Sequence, residues 1–206
     1  MAVNHTVRAA VVDIRQDTPK REDAFLVDTN VWYWLTYGAA SLTPSARNKV
    51  RDYPPFIKKA ISAKSQLRCC GLSLSELAHR IEGNEREIYN SRFNADVFSK
   101  EFRHNFPAER SNVIAEIQAA WGQVTAMSKP LDITVNANTT DRALQRMAAE
   151  PLDGYDLFFL EAMSQAGIAS IITDDGDYAA VPGIQVFTAN YNVIQAATRR
   201  GKLLVR

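Results

Sequence analysis

Four acidic residues stand where a short apolar run stops or a helix begins, the positions from which side chains of an α/β protein can reach one common point. Asp28 ends the run at 24–28, and Glu76 falls in the first turn of the helix after the run at 67–72. Asp156 opens a helix of its own, and Asp175 follows Ile171-Ile172-Thr173. Carboxylates gathered in one place repel each other and raise each other's pKa unless a cation joins them, and a hard divalent ion such as Mg²⁺ takes oxygen ligands of this kind. Each acid also has a structural reading. Asp28-Thr29-Asn30 suits a polar helix cap, and Ser73-Leu74-Ser75-Glu76 has the spacing of a capping box. Asp153 and Asp156 complement the positive end of a helix dipole, and Asp174-Asp175-Gly176-Asp177 suits a solvated turn.

The charge pattern bears on the choice. The chain has 206 residues, 46% of them apolar, with 24 Lys and Arg against 23 Asp and Glu. That length buries a core without disulfides. The near-zero net charge hides a strong segregation. Residues 47–68 carry seven basic side chains and one acid, whereas residues 151–178 carry six acids and no Lys or Arg, so no cation nearby in the chain neutralises them. Residues 199–206 are again basic. Basic stretches beside an acidic focus suit a polyanionic substrate held near a metal site; solvated helix faces are the plainer alternative.

Other chemistries find little support. No Gly-rich phosphate loop and no nucleophile elbow is present, which disfavours nucleotide triphosphatases and serine hydrolases. Cys69 and Cys70 are adjacent in an apolar run and read as buried strand thiols rather than a bridge or zinc ligands. His5, His79 and His104 have no metal-ligand spacing and receive no catalytic role. No apolar run reaches the roughly 20 residues of a bilayer span, and the first residues lack the apolar stretch of a secretory signal. The expectation is a cytoplasmic protein without a membrane partner.

Positioning the acids requires alternating strands and helices. Strands are expected at 24–28, 67–72, 131–135, 169–173 and 185–188. Helices are expected at 31–37, at 45–52, from Pro54-Pro55 to Lys64, at 73–89, across 94–129 with a break at 105–107, at 139–150, and at 155–166 with Gly167 as C-cap. Alternation implies a parallel sheet of about five strands covered on both faces, an α/β fold of three αβα layers. Residues 1–23 read as an extension in which 7–14 can add an edge strand, 24–206 as the domain, and about 90–130 as a helical insertion.

In this order the motifs carry a family resemblance. Phe25-Leu26-Val27-Asp28-Thr29-Asn30, Ser73-Leu74-Ser75-Glu76-Leu77, Asp156 before Leu-Phe-Phe-Leu-Glu-Ala, and Ile172-Thr173-Asp174-Asp175-Gly176-Asp177-Tyr178 together resemble the PIN-domain nucleases, over residues 24–190. The 80 residues between Glu76 and Asp156 and the first 23 residues depart from the most compact toxins of that family. The resemblance implies Mg²⁺- or Mn²⁺-dependent hydrolysis of phosphodiesters in single-stranded or looped RNA. It implies Asp28, Glu76, Asp156 and Asp175 as catalytic metal ligands, Asp177 as an auxiliary acid, and Asn30 and Thr173 as supports.

Within the family the chain resembles VapC-like toxins, which implies a homodimer and a small antitoxin as partner. Arg47, Lys49 and Arg51 would bind flanking phosphates. Tyr33, Trp34 and Tyr37 would either stack on a base or, with Trp32, pack the core or a dimer interface. Two other readings stand beside this one: a phosphatase or phospho-acceptor using Asp28 as nucleophile, and a non-catalytic RNA-binding module on the same fold.

Overall fold

The computed structural model describes residues 5–42, 46–152 and 154–206, so Asp153 and the expected helix start at Ser45 lie outside the described residues. The first apolar run gives β1 (Ala10–Asp13) and the next gives β2 (Ala24–Val27). Then come α1 (Thr29–Thr36), α2 (Arg47–Ser62), β3 (Gln66–Cys70), α3 (Leu72–Phe93), α4 (Ser99–Asn105), α5 (Pro107–Met127) and β4 (Lys129–Leu131). The chain ends with α6 (Ala137–Ala149), α7 (Asp156–Gln165), β5 (Ser170–Ile172), β6 (Gln185–Thr188), α8 (Tyr191–Arg199) and β7 (Leu203–Leu204).

The strands form one sheet in the order β4-β3-β2-β5-β6-β1-β7, and every pairing is parallel. Seven strands, not about five, make the sheet. β1 is no edge strand: Val11 stands opposite Val186 on one side and Leu203 on the other. β7 is only two residues long, too short to leave an alternating signature, and exists by pairing with β1.

Alternation along each strand feeds two cores, as a sheet buried on both faces requires. Phe25, Val27, Cys69, Ile172 and Phe187 face α1, α2, α3 and α5, whereas Leu26, Cys70, Ile171 and Val186 face α6 and α7. Both cysteines are free and buried. Phe25 and Phe187 meet edge to face at 4.8 Å, and Phe56 of α2 completes the cluster. Trp32, Tyr33, Trp34 and Tyr37 all lie in this core, so the base-stacking alternative for them does not hold.

Pro54 and Pro55 do not open a second helix but lie inside α2, which runs unbroken. Each proline removes one backbone hydrogen bond and would ordinarily interrupt a helix. Here Tyr53, Phe56, Ile57 and Ala60 bury the same face on both sides of the pair, and that packing outweighs the lost bonds. The insertion is α4 and α5 against the outer half of α3. Phe102 and Val113 form a small core there, and Glu82 takes both Arg103 and Arg110.

The acids of 151–178 also find cations from distant chain segments. Glu161, buried on α7, accepts from Arg142 and Arg146 of α6, each at 2.6 Å, and Asp174 pairs with Lys49 at 2.7 Å. The terminal Arg206 likewise binds Asp17 and Asp23. Among the described residues Asp28, Asp156 and Asp175 make no such ion pair. No helix among the described residues is long and apolar enough to cross a membrane.

The strand order has a consequence for ligands. From β2 the chain steps outward to β3 and β4, then returns to place β5 on the other side of β2. The carboxyl ends of β2 and β5 therefore border the crevice where chain direction reverses, the place where open parallel sheets bind ligands.

Candidate functional site

Asp28 follows β2 and Thr173 follows β5, and the two ends are stitched together. The Asp28 backbone N–H donates to the Ile172 carbonyl at 3.0 Å. Asp28 Oδ2 accepts from Thr173 Oγ1 and from Asn30 Nδ2, each at 2.5 Å. The same threonine oxygen accepts from the Asp175 backbone N–H at 2.8 Å. Asn30 and Thr173 are thus brought to Asp28, as the resemblance implies. Asp28 sits at the cap position of α1, yet its side chain makes no capping hydrogen bond.

Glu76 is not a cap either. α3 begins at Leu72 after Gly71 without a side-chain cap, and the buried Ser73 hydroxyl has no partner among the described residues, so the capping box does not form. Asp156 starts α7, and its Oδ1 accepts from the buried Tyr178 hydroxyl at 2.7 Å.

These residues line one cavity of about 190 Å³, walled by Asp28, Asn30, Glu76, Arg80, Tyr155, Asp156 and Asp175. All four acids singled out from the sequence therefore line the same cavity. Their electrostatics are those of crowded, dehydrated carboxylates. Burial pushes the Asp28 carboxyl up to about 7, aided by the charges of Glu76 and Asp175 and opposed by the Thr173 hydrogen bond. Burial, then the charge of Asp28, pushes Asp156 up to about 8, against the hydrogen bond from Tyr178.

The donor set is chemically uniform. The described wall offers four carboxylates and an amide oxygen and no thiolate or imidazole, which suits Mg²⁺ or Mn²⁺ and not a soft metal. Their mutual repulsion is what a divalent cation would relieve. Among the described residues no three acidic, histidine or cysteine side chains already close around a point in the way of a finished metal site. The acids stand around the cavity wall.

Other expected residues lie elsewhere. The Asp177 backbone N–H donates to Asp175 Oδ1 at 2.9 Å, but Asp177 does not line the cavity. Arg47, Lys49 and Arg51 do not reach it either. Lys49 is held between Asp174 and the Trp34 ring, 4.8 Å from its centroid, and Arg51 forks onto Asp52 at 2.6 and 2.9 Å. Lys49 and Arg51 line a separate cavity of about 330 Å³ that begins at Asp174, the neighbour of Asp175.

Three contributors escape sequence reasoning. The fully buried Tyr53 hydroxyl donates to Asp174 Oδ1 at 2.8 Å and accepts from the Ala189 N–H at 3.0 Å, fastening the turn before Asp175 to the end of β6. Tyr178 orients Asp156. Arg80 is four residues beyond Glu76 on α3, a helical spacing that places both on one face and was the available signal. Comparisons of the chain with protein-family models, with curated proteins and with solved structures found no match.

Proposed function

We propose that this chain is a divalent-metal-dependent endoribonuclease of the PIN-domain type, hydrolysing phosphodiester bonds in single-stranded or looped RNA. The observation that carries the reading is the single cavity lined by Asp28, Glu76, Asp156 and Asp175 at the β2–β5 crevice. The order of the motifs supports it, and so does a three-layer arrangement with helices over both sheet faces.

Asp28, Glu76, Asp156 and Asp175 would hold Mg²⁺ or Mn²⁺. When bound, the ion supplies positive charge against the charge developing on a phosphodiester and makes water a stronger acid. The protein's own part is to hold the oxygens. Thr173 and Asn30 fix Asp28 through one oxygen, Oδ2. Tyr178 does the same for Asp156. Burial and neighbouring charge favour the protonated form of both carboxyls near neutral pH, and a bound cation would displace those protons to water, so metal affinity would rise with pH through about 7 to 8. In the reaction water adds to phosphorus, the bond to the departing ribose oxygen breaks, and that oxygen gains a proton. A recessed cavity of this volume admits the phosphate of a flexible strand more readily than that of a stiff duplex.

Purified protein incubated with a mixed RNA pool and Mg²⁺ or Mn²⁺ is expected to cut it, and EDTA is expected to stop the cutting. Intact RNA with either metal, or cleavage indifferent to EDTA, would contradict the proposal.

A further inference from the structure

Arg80 lines the acid cavity and is the sole basic side chain in its described wall. An arginine among four carboxylates would ordinarily fork onto one of them, because charge-assisted bidentate pairs are its strongest contacts. Among the described residues it makes no hydrogen bond and no ion pair. Its guanidinium lies instead over the ring of Tyr33, 4.8 Å from the centroid. Tyr33 is anchored in the core through α1, so the ring is a fixed platform. Cation–π contact holds the planar group there while leaving its edge donors unused. Arg80 also lines a second cavity, of about 340 Å³, that runs over α1 and α3 beside His79 and Glu87. It therefore stands in the wall common to both.

We propose that Arg80 binds a substrate phosphate at the mouth of the acid cavity, forking onto its non-bridging oxygens, and that the next nucleotide continues into the cavity over α3. This rests on the nuclease reading of the acids. The guanidinium is suited to the task by shape and by being unspent, whereas Lys49 and Arg51 are already neutralised by Asp174 and Asp52. An anion approaching four carboxylates also needs a cation at the entrance.

The test compares wild type, Arg80→Ala and Arg80→Lys for cleavage of a short fluorescein-labelled single-stranded RNA with Mn²⁺ over a series of salt concentrations, with Mn²⁺ binding measured in parallel. Arg80→Ala is expected to lose about 10- to 100-fold in kcat/KM. Its log–log salt dependence should be shallower by about 0.7, the share of one single-strand phosphate contact. Arg80→Lys should recover the salt slope but only part of the rate, and Mn²⁺ affinity should not weaken in either variant. Unchanged kcat/KM and salt slope in Arg80→Ala, beside an active wild type, would overturn the role of Arg80 alone. Weakened Mn²⁺ binding in that variant would show a structural role and overturn it too. An inactive wild type would overturn the nuclease reading and this inference together.

Discussion

In Asp28→Asn, RNA cleavage is expected to fall by about 10³-fold while the fold stays intact, as when an enzyme loses several kcal/mol of metal-dependent transition-state stabilisation. The substitution keeps size and shape. The side-chain oxygen of Asn can still accept from Thr173 Oγ1 and Asn30 Nδ2, the two contacts that seat residue 28. What disappears is one of the charges that would attract a cation. Cleavage assays with circular dichroism as the fold check would test this. Wild-type rates in the folded variant would remove Asp28 from the chemistry. Comparable losses are expected for Asp175→Asn, whose backbone N–H, and with it the bond to Thr173, is unchanged.

The same substitution is expected to stabilise the metal-free protein, and the sign follows from proton linkage. Asp28 and Asp156 have folded-state values of about 7 and about 8, raised above the ordinary unfolded value near 4. Between about pH 4 and pH 8 the unfolded chain has released these protons and the folded protein still holds some. Stability from this pair is therefore full below about pH 4 and declines as pH rises to about 8, where both carboxyls ionise in each state. Glu82 and Asp23, whose carboxyls lie below the usual range because of Arg103 and Arg206 respectively, act in the opposite direction by losing stability at acid pH. The informative quantity is thus variant minus wild type. Denaturant melts in EDTA should find Asp28→Asn more stable than wild type at about pH 8, with the gain vanishing near pH 4. A gain independent of pH, or a loss at about pH 8, would refute the crowded-carboxylate account.

Residues that could be read from the sequence were those whose neighbours in the chain explain them. Asp28 and Asp175 end apolar runs, and β6 appears over the four residues that form it. Glu76 and Asp156 follow from helix starts. The reading of α2 as two helices failed because two prolines are a strong local signal, while the packing that overrides them comes from Phe25 and Phe187, far along the chain. Partners of the acidic segment were hidden for the same reason: Arg142, Arg146 and Lys49 meet Glu161 and Asp174 only after folding. Tyr53 and Tyr178 are core aromatics by every local criterion, and only their hydroxyls, placed by tertiary structure, reveal a polar duty. The short β7 depends wholly on β1. Basic residues were misjudged by proximity in sequence, since Lys49 and Arg51 of α2 are spent on Asp174 and Asp52 while the unspent Arg80 lay beyond the basic segment.

The most direct measurement is calorimetric titration of the EDTA-treated protein with Mn²⁺ near pH 7, comparing wild type with Asp28→Asn, Glu76→Gln, Asp156→Asn and Asp175→Asn. The account predicts saturable binding by wild type with release of protons, weakened about tenfold or more in each variant. No binding by wild type, or affinity that survives all four substitutions, would contradict it.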